Sequence, residues 1–432
     1  MAVTSVNTGV RSSAPSSGSY KSAMAMVTTL FFMWGFLTCL NDILVPHLKS
    51  IFDLNYFKAS LVQFAFFFSY AVFAFPSGKI VEKIGYKKTM VLGLATMAIG
   101  ALLFIPAADV PSFGLFLGAL IVLAAGITAL QVSANPYVSI LGPERTASSR
   151  LNLTQAFNSL GTFVAPFFGS LLILSAAPKT IEQVRGMTGA ALQAYRLHEA
   201  ATVKVPYVGI TLALVLLALS VAMFKLPRIE ATKEFRPDML TEGGDSILKY
   251  RHLLLGAIGI FVYVGAEVSI GSFLVNYFSQ PDTGGFSVQT AAKLVSLYWG
   301  GAMVGRFIGS AVLQKVRPGS MLGLVAMIAC ALVLTSILTF GHVAVWSILL
   351  VGLFNSIMFP TIFTLAIAEL GPLTGEGSGL LVASIVGGAL IPLAEGALAD
   401  RIGLHHAFIL PALCYVYIAY YGFKGSRPTR TA

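Results

Sequence analysis

Charged side chains are scarce in this sequence: Asp, Glu, Lys and Arg make up 11% of its 432 residues, against roughly 25% in an ordinary soluble domain. With 56% of the residues hydrophobic, too little polar surface remains to cover a water-exposed exterior, which excludes a soluble globular fold. Cysteine is nearly absent. Cys39, Cys330 and Cys414 stand far apart inside apolar segments, with neither metal-site spacing nor a disulfide framework, and are read as packing residues. No Gly-x4-Gly-Lys-[Ser/Thr] phosphate loop occurs, which argues against direct use of ATP. His-Glu-x-x-His and Gly-x-Ser-x-Gly are missing as well. His47, His198, His252, His342, His405 and His406 all fall near expected helix ends or in loops. A membrane-embedded enzyme, a cofactor and a bound metal are therefore not expected. The net charge of +10 does not mark a nucleic-acid binder, because the basic residues lie in short clusters between apolar runs rather than on one polar face.

Long apolar runs are what the chain has instead. A helix needs about 20 predominantly apolar residues to cross a hydrocarbon core of about 30 Å. Such stretches are expected at 24–47, 58–80, 87–107, 112–140, 149–176, 205–225, 253–278, 287–313, 320–340, 344–370, 378–399 and 405–423. The expected fold class is an all-α membrane protein of twelve transmembrane helices in two pseudo-symmetric six-helix halves. Residues 1–23, rich in Ser and Gly and without a cleavage pattern, are expected to be a disordered tail. A half at 24–225, a polar linker at 226–250, a second half at 251–424 and a tail at 425–432 complete the division. With both termini placed in the cytoplasm, 20 of the 28 Lys and Arg residues fall on the cytoplasmic face and 8 on the other. That bias fixes the orientation.

Weak internal symmetry supports two halves. Glu267 follows Asp42 by 225 positions, and Gly387-x4-Pro392 follows Gly161-x4-Pro166 by 226. Repeats of this kind place a substrate site near the bilayer midplane between the halves. Between spans 2 and 3 stands Gly78-Lys-Ile-Val-Glu82-Lys83-Ile-Gly85-Tyr-Lys87-Lys88, which fits G-x3-[DE]-[RK]-x-G-x-[RK]-[RK]. Gly396-x3-Asp400-Arg401-x-Gly403 is a related run, and Gly305-Arg306 reads as a degenerate one. The run at 78–88 resembles the loop 2–3 signature of the major facilitator superfamily. That resemblance implies that Gly78, Glu82, Lys83, Gly85, Lys87 and Lys88 govern the switch between conformations rather than touch substrate. A plain basic cytoplasmic turn is the alternative.

Three further runs carry a narrower resemblance: Trp34-Gly-Phe-Leu-Thr38-Cys-Leu-Asn41-Asp42-Ile-Leu-Val-Pro46, Gln131-Val-Ser-Ala-Asn135-Pro136-Tyr137, and Gln155-Ala-Phe-Asn158-Ser-Leu-Gly161. Together they look like the fucose-galactose-glucose:proton symporter family. Gln131 departs from the fucose-transporting branch, whose matching position is glutamate, and is closer to the branch that carries glucose, galactose or mannose. An amide cannot take up and release a proton, so a two-carboxylate relay does not carry over unchanged.

The residues themselves single out the same positions. An ionised carboxylate at the bilayer centre costs about 3 kcal/mol even on forgiving scales, so Asp42 needs a reason to be there. Burial favours its neutral form, which suits a proton carrier; capping or pairing near His47 and Lys49 is the alternative. Trp34, Thr38 and Asp42 share one helical stripe, where an indole face and polar neighbours suit a sugar, although Trp34 equally fits helix packing. Gln155, Asn158 and Thr162 form a polar stripe of donors and acceptors matched to hydroxyls, with interhelical bonding as the alternative. Glu267 either couples protons or holds helices together. Asn276 and Asn355 are outlying candidates. The expected function is a proton-coupled symporter importing a hexose by alternating access, acting as a monomer in the bacterial inner membrane. Its partners are the sugar, a proton or sodium, and the bilayer. A sodium-coupled or uncoupled sugar carrier of the same fold, or an L-fucose symporter, stands beside it.

Overall fold

A computed structural model describes residues 17–52, 56–109, 112–173, 186–227 and 246–428, and among them the regular secondary structure is helical throughout. Helices suit a hydrocarbon solvent because they satisfy backbone hydrogen bonds within one segment. The first half contains α1 (Ser17–Phe52), α2 (Tyr56–Ile84), α3 (Tyr86–Asp109), α4 (Phe113–Ile140), α5 (Ala147–Ile173) and α6 (Gly189–Met223). The second contains α7 (Arg251–Ser279), α8 (Val288–Val312), α9 (Pro318–Leu338), α10 (Gly341–Ala366), α11 (Gly371–Ile402) and α12 (Leu404–Gly425). Three expected helix starts move by seven residues or more, that of α11 from 378 to Gly371. α1 begins at Ser17, so the expected tail at 1–23 gives up its last residues to helix, because Tyr20 packs over Gly142 and bonds to Arg150. α6 begins at Gly189, well before the expected 205. Residues 1–16, most of the linker at 226–250 and the last four residues lie outside the described set.

Glycine brings helices together inside each half. A Cβ on Gly35 would stand 2.1 Å from the Asn158 carbonyl oxygen, and one on Gly161 would stand 2.2 Å from that of Phe32, so α1 and α5 touch backbone to backbone. In the second half a Cβ on Gly387 would stand 2.0 Å from the Phe261 oxygen, and one on Gly265 2.2 Å from Ile391. The two Gly-x4-Pro runs thus occupy equivalent crossings, α1 on α5 and α7 on α11.

Proline opens a second kind of feature. A proline inside a helix leaves the carbonyl four residues earlier without its donor. Pro136 does this to Val132 in α4, and Pro360 does it to Ser356 in α10. α10 is also interrupted, its helices running over Gly341–Asn355 and Met358–Ala366, and α11 passes through a 3-10 turn at Ser384–Val386. Irregular backbone at this depth is tolerated where protein groups bond to it.

Candidate functional site

The freed carbonyls are met by side chains of other helices. Ser378 of α11 donates to the Val132 oxygen at 3.0 Å across the line between the halves. Arg306 of α8 donates through Nε to the Ser356 oxygen at 3.3 Å. Tyr263 of α7 donates to the neighbouring Asn355 oxygen at 3.1 Å.

The two halves meet along a seam at the end where α2 turns into α3. Ser148 and Thr364 hydroxyls lie 2.6 Å apart, Ser149 donates to the Ser310 oxygen at 2.7 Å, and Phe157 meets Phe307 edge-on at 5.7 Å. Gly78 and Gly379 lie against the backbone of the opposite half: a Cβ on either would stand 3.0 Å from the oxygen of Gly375 or Ala74. Glu82 accepts a hydrogen bond from the backbone N–H of Glu376 at the start of α11, where unsatisfied helical donors favour an anion. Lys87 donates to the Ala222 oxygen at 2.7 Å, closing the end of α6. Gly85 takes φ +82, the left-handed turn that ends α2, while Lys83 and Lys88 are exposed. Outside the seam a cleft of about 880 Å³ runs between residues 139–148, 313–318 and 364–374. Toward the other end a cavity of about 280 Å³ separates Phe64 of α2 from Val268 and Ser272 of α7 and Pro392 of α11. Gly403, at φ +82, repeats the Gly85 turn but closes the far end of α11, away from the seam.

Polar side chains from both halves gather above the seam. In the first half Gln131 is buried and donates to the Tyr70 hydroxyl at 3.0 Å. Gln155 is buried beside Asn135, with Nε2 3.4 Å from its Oδ1. Asn158 donates to the Phe31 oxygen at 3.0 Å, joining α5 to α1. Thr38 spends its proton on the Trp34 and Gly35 oxygens. The Trp34 indole is 6% exposed and stands edge-on to Phe31 at 5.4 Å, so it is packed more than presented. The side chain of Asp42 lies outside the described residues.

In the second half Asn355 donates to the Tyr298 hydroxyl at 2.8 Å. This repeats the Gln131 to Tyr70 bond: Asn355 follows Gln131 by 224 positions and Tyr298 follows Tyr70 by 228. Glu267 is nearly enclosed, with Tyr263 against its carboxylate and Arg306 Nη2 4.0 Å from its Oε1. The same Arg306 reaches across the seam to Ser159 through Nη1. Asn276 is exposed one turn beyond Ser272 and is not brought to the other candidates.

Two intramembrane charges escaped the sequence reading. Arg306 is no degenerate loop motif; it lies within α8, and Gly305 is there because a Cβ would stand 2.4 Å from the Leu353 oxygen of α10. Glu395 is 0% exposed in α11 and accepts a hydrogen bond from Ser269 of α7. Its place four residues before the end of the apolar run at 378–399 was the available signal, masked by the loop-like pattern that begins at Gly396.

A family model described as Major Facilitator Superfamily matches residues 24–384. The chain belongs to the major facilitator superfamily. Among members of this superfamily, the glucose/galactose transporter of Brucella abortus is 53% identical over 421 residues, covering 98% of both chains. The L-fucose-proton symporter of Escherichia coli is 36% identical over 410 residues, covering 93% of this chain and 92% of that one. A solved structure of the superfamily transporter FucP in the outward conformation superposes with a TM-score of 0.86 at 34% identity, covering 94% of this chain and 98% of that one. The major facilitator superfamily expected from the run at 78–88, and the narrower likeness expected from the three further runs, both hold.

Proposed function

We propose that this chain imports a hexose such as glucose, galactose or mannose together with a proton, by alternating access, acting as a monomer in the bacterial inner membrane. The observation that carries the proposal is the seam: the described contacts between the halves concentrate at one end, and polar side chains of both halves gather above it. Lys and Arg concentrate at the seam end, which argues for a cytoplasmic face there, both termini included. The state described is then outward-facing. Opening the seam while closing the other end would deliver solute into the cleft beyond Ser148 and Thr364.

Gln155 and Asn158 are assigned to the sugar hydroxyls, with Trp34, Thr38, Asp42, Gln131, Asn276 and Asn355 lining the path. Asp42 and Glu267 are assigned to the proton. Gly78, Glu82, Lys83, Gly85, Lys87 and Lys88 form the latch at the seam. Support for hexose over L-fucose comes from the amide at Gln131 and from the name of the 53% identical relative. Uptake of labelled glucose, galactose, mannose and L-fucose into proteoliposomes, under an imposed pH gradient and separately an imposed sodium gradient, tests the proposal. Accumulation of a hexose under the pH gradient alone is expected. Acceleration by sodium alone, or exchange that neither gradient drives, would replace proton symport with a sodium-coupled or uncoupled carrier.

A further inference from the structure

Three partners converge on one guanidinium. Pro360 leaves the Ser356 carbonyl without a helical donor, and Arg306 Nε takes that bond at 3.3 Å, which anchors the side chain in the break of α10. Nη1 crosses the seam to the Ser159 hydroxyl, one residue after Asn158 and one turn after Gln155. Nη2 stands 4.0 Å from Glu267 Oε1, beyond hydrogen-bond reach but within strong Coulomb range in a low-dielectric interior. The two side chains are only 17% and 13% exposed, so neither charge is well screened.

We propose that Arg306 is the positioning residue that ties the charge of Glu267 to the closed seam; this rests on the proton-coupling role proposed for Glu267 above. An ionised Glu267 attracts the guanidinium and fixes its plane, so that Nη1 is held on Ser159 and the halves stay joined at that end. A protonated Glu267 withdraws the attraction. The cross-seam bond is then a single hydroxyl contact that water replaces as the halves part. Proton uptake thereby becomes a condition for opening toward the cytoplasm, which is the coupling direction a symporter requires. The groups facing Glu267 are Tyr263 of its own helix, Arg306 and Tyr298 of α8 and Tyr415 of α12, with Glu395 of α11 acting on Tyr298. Tyr263 meets Glu267 through its hydroxyl from the same helix, whereas Arg306 is the cation in that set and the attracted group that also reaches across the seam.

Reconstituted full-length protein tests this with glucose and galactose as probes, comparing proton-driven accumulation with counterflow exchange at equal pH on both sides. Arg306→Gln and Ser159→Ala are expected to lower accumulation about tenfold, within the range of couplings between distinct sites, while exchange stays within about threefold. Arg306→Lys keeps the charge without the planar fork and restores part of the accumulation. Ser159→Ala alters no charge, so it decides the matter should Arg306→Gln fail to fold. Full accumulation in Ser159→Ala and Arg306→Gln overturns the proposal. Parallel loss of exchange and accumulation in monodisperse protein overturns it too, since Arg306 would then belong to the sugar site. Glu267→Gln separates the two ideas: undiminished accumulation there removes the proton role of Glu267 whatever Arg306 does. Loss there with full accumulation in the other two variants removes the Arg306 proposal alone.

Discussion

At the residue scale, the buried carboxylate of Glu395 depends on one hydroxyl. Ser269 donates to it, and no described Lys or Arg pairs with it. Ser269→Ala should therefore leave an unsatisfied acceptor and cost about 1–3 kcal/mol, read as a lower midpoint of thermal unfolding in detergent. An unchanged midpoint would show that the hydroxyl is dispensable. Asn158 serves two partners of different kinds, a backbone oxygen of α1 and, as proposed, the sugar. Asn158→Ala should raise the half-saturating hexose concentration about tenfold or more, since an unpaired polar partner costs roughly 1–3 kcal/mol; wild-type affinity across hexoses would reduce Asn158 to an α1–α5 tie. Sequence made Asn158, Gln155, Gln131 and Glu267 conspicuous because each is polar within an apolar run. It could not say that Gln131 and Asn355 each point at a tyrosine, since Tyr70 and Tyr298 lie about 60 residues from their partners.

At the element scale, whether a glycine matters depends on what its missing Cβ would meet. Gly35→Ala places a methyl 2.1 Å from the Asn158 oxygen, and the forced separation of α1 from α5 should cost about 1–3 kcal/mol or more. Gly209 in α6 has nothing within 4 Å, so Gly209→Ala should be neutral or stabilise by up to about 1 kcal/mol through helix propensity. Thermal midpoints of the two purified variants compare them directly, and equal effects would contradict the close approach. The Gly-x4-Pro runs were legible as a repeat because both residues stand in the sequence at nearly equal offsets. The consequence of Pro136 and Pro360 was not legible. A proline announces a freed carbonyl, but the donors that meet it, Ser378 and Arg306, come from distant parts of the chain.

For the whole molecule, hydropathy was sufficient to read a polytopic helical protein, and charge bias to propose its orientation. The seam could not be read in advance. Ser148 and Thr364 are separated by 216 positions, and nothing local in either segment names the other. Their hydroxyls are close enough to test movement: with Cys39, Cys330 and Cys414 replaced, Ser148→Cys combined with Thr364→Cys should form a disulfide under mild oxidation and abolish transport, and a reductant should restore it. Cross-linked protein that still transports would show that the halves do not part at this end.

The chemistry of the seam also bears on how evenly the two facing states are populated. Within each half, glycine-to-backbone contacts join the helices, and water cannot stand in for them. Between the halves, beside the glycine approaches at Gly78 and Gly379, the bonds run from hydroxyls, one guanidinium, the Asn152 amide and the Glu376 backbone N–H to oxygen atoms. A bond between neutral groups is worth only about 0.5–1.5 kcal/mol net and one to a charged group about 1.5–3 kcal/mol, because water supplies an equivalent partner once the seam opens. A handful of these leaves the inward and outward forms separated by a few kcal/mol, a gap that modest differences in ligand affinity can invert. On the proposed function neither facing state is then a trap, and the direction of net flow is left to the gradients across the membrane.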